Sequence, residues 1–221
     1  MVMMYAAPHR AGNTPVSTMT AFESRLPDLI NSLANEGWAI CDDFLCADEV
    51  RALRQEGERR LVAGEFHRAG VGRGSAQQIR DDIRGDAVRW LDPHAPSDAE
   101  RCYWSRIESL KCELNRQLFL GIREGEFHYA SYPVGSFYQR HIDRFRDDDA
   151  RTVSVVCYLN DAWETTHGGQ IRLWLGASPN DEYLDISPIG GRLVLFMSDR
   201  FWHAVQPANR VRWSLTGWMR R

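Results

Sequence analysis

The feature that most constrains the fold is a change of hydrophobic period near residue 126. Upstream, apolar residues recur every three or four positions. Downstream they alternate, in short runs rich in β-branched and aromatic residues: "FHYASYPV", "FYQRHID", "RTVSVVCYL", "GQIRLWL", "YLDISP", "GRLVLFMS", "HAVQPA" and "RWSLTGWM". Alternation suits strands that bury one face. Turn signals separate the runs, at Pro133-Val134-Gly135, Asn160-Asp161, Gly168-Gly169, Pro179-Asn180-Asp181 and Gly190-Gly191. Many short strands after several helices predict a β-sandwich or barrel covered by helices.

The upstream part supplies the helices. Phe22, Leu26, Leu29, Ile30 and Leu33 fall at helical spacing, with Gly37 as a stop. "WAICDDFL" reads as a short strand. A second helix follows over "ADEVRALRQEGERRLVAG", with Val50, Leu53 and Leu61 on one side and Gly64 at its end. The strongest helix begins after Ser97, a good N-cap, and is expected to stop at Gly121. Residues 1–20 are small and polar and read as a flexible tail. Residues 65–93 read as a long surface loop with short strand pieces, a length that usually carries function. Its "GVGRG" looks like a phosphate loop but neither follows a clear strand nor opens a helix. The expected organisation is one domain over 21–221, with helical support and a substrate loop at 21–125 and a β core at 126–221.

The 221 residues suffice for a real core, and a formal net charge of -3 gives no basic field for nucleic acid. Five cysteines, an odd number with no CxxC pair, fit reduced thiols. The N-terminus lacks the apolar core of a signal peptide, and no apolar run of about 18 residues occurs. The expectation is a cytoplasmic protein with neither a membrane nor a nucleic-acid partner.

Chemistry concentrates in the β part. His141 and Asp143 are two apart at a strand end, so they project to one side. His203 opens a later strand, and Arg212 follows nine residues on in an otherwise apolar one. Each piece alone reads as a solvated strand end or polar packing. Together, two imidazoles and one carboxylate match the facial triad of non-haem Fe(II) sites, and Arg212 offers a forked cation for a carboxylate. Tyr138, Trp163, Trp174 and Trp202 read as packing. His67, His94, His128 and His167 have no partner pattern; for His128, core packing is the favoured reading over a place in the pocket wall. Asp147-Asp148-Asp149 reads as a solvated turn, and an Arg151–Asp86 ion pair is a further expectation.

These residues carry a resemblance. "IRGD" with Trp90, "YPVGSFYQRHID", "CYLN" with Trp163, "GGQIRLW", "SDR" then His203, "VQPA" and "RWSLTGW", in this order over residues 79–219, resemble the 2-oxoglutarate- and Fe(II)-dependent dioxygenases. Within them, the similarity is to the prolyl 4-hydroxylase family that includes the animal oxygen-sensing prolyl hydroxylases and their bacterial relatives. The resemblance implies a mainly β, α+β fold: a double-stranded β-helix, or jelly-roll, backed by N-terminal helices.

It also implies roles. His141, Asp143 and His203 would bind Fe(II). Arg212 would pair with the C5 carboxylate of 2-oxoglutarate, assisted by Tyr158 and Thr216. Tyr132 would sit near the metal and the C1 end, Ile171 and Trp218 would wall the pocket, and Val205 would pack beside the cosubstrate. Arg151, Arg84 and Asp86 match positions that hold substrate. Ascorbate would be a supporting reductant. The intact Asp143 argues against halogenation, which uses a small residue there.

The implied reaction consumes O2 and releases succinate and CO2 while hydroxylating a prolyl residue, at C4, in a protein substrate. The resemblance to the bacterial relatives implies translation elongation factor Tu as a candidate substrate, and oxygen sensing would follow from oxygen-dependent turnover. Two alternatives stay open: a free amino acid or small metabolite as substrate, and a non-catalytic 2-oxoglutarate or metal sensor.

Overall fold

The computed structural model describes residues 21–70, 80, 82–143 and 150–221. The tail at 1–20, most of "GVGRG" and the Asp147-Asp148-Asp149 run lie outside the described residues.

Three α-helices lie in the first half of the described residues, with short strands between them: α1 (Ala21–Glu36), α2 (Ala47–Val62) and α3 (Asp98–Leu118). Helix α3 starts where its sequence says it should. The Ser97 hydroxyl accepts from the Glu100 amide, and the Glu100 carboxylate accepts from the Ser97 amide, so two otherwise unpaired donors are satisfied. Its buried stripe is Tyr103, Ile107, Leu110 and Leu114. It ends at Phe119, in the left-handed region at φ 54°, two residues before the expected stop at Gly121. The Asn115 side chain explains the early end: it donates to the Ile122 carbonyl and accepts from the Ile122 amide, tying down the exit. In α2, the face turned inward is Val50, Leu53 and Gly57; Leu61, expected with them, is exposed. A β-carbon on Gly57 would meet the Trp213 ring at 2.8 Å, so the glycine allows the helix to close on the sheet.

Eleven strands follow one another as β1 (Trp38–Cys41), β2 (His67–Arg68), β3 (Ala87–Trp90), β4 (Glu124–Tyr132), β5 (Tyr138–His141), β6 (Arg151–Tyr158), β7 (Ile171–Trp174), β8 (Tyr183–Ile186), β9 (Leu193–Met197), β10 (His203–Val205) and β11 (Arg212–Arg220). They form two antiparallel sheets, a larger one in the order β1-β9-β6-β11-β4-β3-β2 and a smaller one in the order β5-β10-β7-β8. This is the mainly β jelly-roll sandwich backed by helices that the sequence implies. The outer face of the larger sheet presents Phe127, Tyr129, Val153, Val155, Cys157, Trp213, Leu215 and Met219 to the helices, and together they form the main core. Its inner face meets the smaller sheet through Val156, Tyr158, Val194 and Phe196 against Ile171, Leu173 and Ile186.

The segment 65–93 departs from a surface loop. β3 is an interior member of the larger sheet, paired with β4 from Ala87↔Ser131 to Trp90↔His128. Just before it, Arg84 bridges Tyr138 of β5, with Gly85 donating to the Phe137 carbonyl and Gln139 to that of Ile83. One stretch of chain therefore crosses from the edge of the smaller sheet into the larger one. No helix among the described residues is long and apolar enough to cross a membrane.

Candidate metal centre and cosubstrate cavity

His141 and His203 are direct partners across the β5–β10 ladder, so their rings meet, with centroids 4.1 Å apart. Asp143, just past β5, completes the group: its two carboxylate oxygens lie 3.6 Å from His141 Nε2 and 3.4 Å from His203 Nε2. One ligand atom from each of the three falls within 4.8 Å of the others.

Backbone carbonyls orient both imidazoles. His141 Nδ1 lies 2.8 Å from the Gln139 carbonyl and His203 Nδ1 lies 3.2 Å from that of Phe201. A carbonyl can only accept, so each Nδ1 carries the proton and each Nε2 offers a lone pair to the centre. Burial, with His141 adding to it, pushes His203 down to about 4 despite Asp143, which keeps the ring neutral and able to ligate. Burial would raise the Asp143 carboxyl, but His203, His141 and the Ser154 hydroxyl outweigh it and hold Asp143 well below the usual carboxylate range. Ser154 Oγ donates to Asp143 Oδ2 at 2.7 Å and lies 2.9 Å from Ser198 Oγ, so Ser198 is left to donate to Ser154. This donor set, two imidazoles and one carboxylate, fits Fe(II).

The three residues open onto a cavity of about 410 Å³ between the sheets. Of the residues given metal, cosubstrate or substrate roles, all but Tyr158 and Asp86 line it. Arg212 is 2% exposed; its Nε donates to the Gly169 carbonyl at 2.9 Å, and no carboxylate among the described residues pairs with it. Tyr132 and Tyr158 flank it, each ring centre 5.0 Å from the guanidinium carbon. The Tyr158 hydroxyl is buried without a hydrogen-bond partner, and burial raises it above the ordinary phenol range. Thr216 shares its hydroxyl with Ser214 at 3.0 Å. Four arginines, Arg84, Arg140, Arg151 and Arg212, line the cavity; Arg84 and Arg151 are paired with Asp86 and Glu126, whereas Arg212 has no carboxylate partner among the described residues. The cavity therefore favours an anion, and a dicarboxylate fits the arrangement of a metal centre with a buried, unpaired guanidinium.

The expected Arg151–Asp86 pair does not form. Arg84 reaches Asp86 through two bonds, of 2.7 and 2.6 Å, because residues two apart in an extended segment face the same way. Arg151 bonds Glu126 at 3.0 Å instead and lies flat over Trp218, 3.4 Å from its ring centre. Tyr138, read as packing, is at the centre itself: it stacks on His141 at 3.7 Å, with the Arg84 guanidinium 4.3 Å from its ring. His128 lines the cavity rather than the core. Sequence reasoning missed Ser154, although the alternation of "TVSVV" sets it with Thr152 on the face opposite Val153 and Val155.

Similarity to known proteins agrees with this geometry. Residues 127–220 match the family model of the 2OG-Fe(II) oxygenase superfamily. The chain is 32% identical over 203 residues to a hypoxia-inducible factor prolyl hydroxylase of Caenorhabditis elegans, covering 86% of this chain and 27% of that protein. It thus spans less than half the length of the first curated relatives it matches. A crystal structure of a Pseudomonas putida prolyl-4-hydroxylase superposes with a TM-score of 0.79 at 43% identity, covering 89% of this chain and 98% of that one. A prolyl hydroxylase in complex with a hypoxia inducible factor oxygen degradation domain peptide fragment from Trichoplax adhaerens gives 0.79 at 30% identity, covering 90% of each chain. The matched stretch holds the two ligand-bearing strands and the strand of Arg212, and on these grounds the chain belongs to the prolyl hydroxylase family of the 2-oxoglutarate- and Fe(II)-dependent oxygenases.

Proposed function

We propose that this chain is a 2-oxoglutarate- and Fe(II)-dependent dioxygenase that hydroxylates a prolyl residue, at C4, within a protein, with residues 21–221 working as one domain. The observation that carries this reading is Arg212: a buried guanidinium with no carboxylate partner among the described residues, in the same cavity as His141, Asp143 and His203. A buried charge without a counter-ion is costly, so the site is built for an anion.

His141 Nε2, His203 Nε2 and Asp143 would hold the iron. Arg212 takes the C5 carboxylate of 2-oxoglutarate, and the unpartnered Tyr158 hydroxyl donates to the same group. Thr216, Ile171 and Val205 shape the wall beside it, and Tyr132 packs between this end and the Tyr138–His141 stack. When bound, Fe(II) and 2-oxoglutarate supply the oxidising power: one oxygen atom of O2 enters the product and the other enters succinate as CO2 leaves. The chain's own residues orient both reactants and keep bulk water out. Arg84, Arg151 and Trp218 form the wall that receives substrate, and Asp86 holds Arg84 from behind. The names of the relatives support a proline-containing segment of a protein as that substrate, with elongation factor Tu as the first protein to test. Ascorbate would sustain turnover. The five cysteines form no disulfide, which supports a cytoplasmic location.

The test is anaerobic titration with Fe(II) and 2-oxoglutarate, then O2 with a panel of proline-centred peptides. The wild type is expected to form succinate together with a +16 Da proline product. Asp143→Ala and Arg212→Ala are expected to lose both. Binding without succinate in the wild type would favour a sensor. Succinate formation only with small metabolites would move the substrate to that class.

A further inference from the structure

His128 is a buried imidazole for which the reaction above provides no role. It is 3% exposed and lines the cavity. Its Nδ1 is fully buried without a hydrogen-bond partner, and no described residue bonds either ring nitrogen. A buried polar group left open in this way calls for an explanation, and a bound molecule is one. Two indoles fix the ring, Trp90 at 4.7 Å and Trp218 at 5.8 Å between centroids. Both are themselves cavity residues, and Trp90 is half-exposed. His128 also faces Thr216 directly across the β4–β11 ladder, one inner row from Trp218↔Ser154, where Ser154 supports Asp143. The imidazole therefore shares the cavity wall with the half-exposed Trp90 and with Thr216 and Trp218. Burial, helped by Arg84, pushes it down to about 3, so it is neutral and offers one donor and one acceptor.

We propose that His128 is a substrate-binding residue that hydrogen-bonds the main chain of the polypeptide at or next to the target proline. The inference rests on the prolyl hydroxylase reading. The other reactants leave no role for the ring: the carboxylates of 2-oxoglutarate belong to the metal and Arg212, and O2 is apolar. The ring nitrogen of a prolyl residue is a tertiary amide with no N–H, so the residue offers only its carbonyl, as an acceptor. The imidazole thus distinguishes a prolyl residue in a peptide from a bare apolar ring. The flanking indoles hold it to the orientation in which that bond forms.

The test uses His128→Met, apolar and of similar length, and His128→Gln, which keeps a donor and an acceptor. The probe is a fluorescein-labelled peptide with one central proline, chosen as the best wild-type substrate of the panel. Its Kd is read by anisotropy on Mn(II)- and 2-oxoglutarate-loaded protein without turnover. His128→Met is expected to weaken peptide binding about tenfold, the scale of one lost hydrogen bond. The rise in peptide KM should exceed any fall in kcat, 2-oxoglutarate affinity should hold within twofold, and His128→Gln should recover most of the loss. Unchanged peptide binding in His128→Met overturns the proposal. So does a loss of 2-oxoglutarate affinity as large as that of peptide, which would make the residue part of the cosubstrate site. A wild type that turns over small metabolites and no peptide instead overturns the underlying reading, and this inference with it.

Discussion

The two faces of the larger sheet are made by the same strands and obey different rules. Along β11, Trp213, Leu215 and Met219 join the apolar layer under the helices, while Arg212, Thr216 and Trp218 between them line the cavity. Along β6, Val153, Val155 and Cys157 face outward to that layer, and Ser154 turns to Asp143. The outer face needs only apolar shape that fills space. The inner face keeps an unpaired guanidinium, an unpartnered phenol and an unpartnered imidazole under cover, each of which costs stability. The comparison teaches that this fold draws its stability from one side of a strand and its chemistry from the other, one residue apart.

Substitutions on adjacent residues can break that separation. Leu215→Ala, on the outer face, is expected to cost about 2–5 kcal/mol of stability. It should leave Fe(II) and 2-oxoglutarate affinities within twofold in the folded protein, as measured by urea unfolding beside ligand titration. Ser154→Ala, on the inner face, should do the reverse. Thermal stability changes little, while Fe(II) affinity falls roughly 10–100-fold, because Asp143 loses the bond that orients it. If Leu215→Ala impaired ligand binding as strongly as it impaired stability, the two faces would not be independent.

A pH series sharpens the same point. His128 is held at about 3, below the ordinary 6.5, so its neutral form is favoured only in the folded chain. Its stabilising contribution is complete above pH 6.5 and is lost as pH falls toward 3, since the unfolded chain takes up the proton first. Between pH 7 and 5 the wild type should lose roughly 2 kcal/mol more than His128→Met does. Urea midpoints of the metal-free proteins at the two pH values check this, and equal losses would deny the imidazole its buried, neutral state. The smallest effect belongs to neither face. Arg51→Ala removes an exposed i,i+3 pair with Asp48 on α2 and should change stability by less than about 0.5 kcal/mol.

What could be read from the sequence follows the range of the forces involved. The capping box at Ser97 and Glu100 is a local arrangement and was readable from four residues. Alternation announced the strands, and two residues' spacing placed His141 with Asp143. The same spacing would have paired Arg84 with Asp86, had extended backbone been assumed there. It was not, because the strand character of 83–90 depends on partners some fifty residues ahead, Tyr138 and Ala130. The places of Tyr138 and His128 in the cavity wall are hard to read for a related reason. Tyr138 packs as expected, on His141, but burial by itself does not say whether a side chain faces the helices or the cavity, and that depends on register. Helix α3 stops early because Asn115 reaches Ile122, a side-chain choice that no stop signal at Gly121 reveals.

The stretch from Ile83 to Trp90, which begins on the edge of the smaller sheet and ends inside the larger one, is separate in sequence from every metal ligand. Yet it supplies Arg84 and Trp90 to the cavity and holds Asp86 behind them. Under the proposed function, part of the substrate wall is thus carried on a piece of chain that holds no iron ligand. Exchange of this short crossing piece offers a route by which an oxygenase of this design changes its clientele while its iron chemistry stays the same.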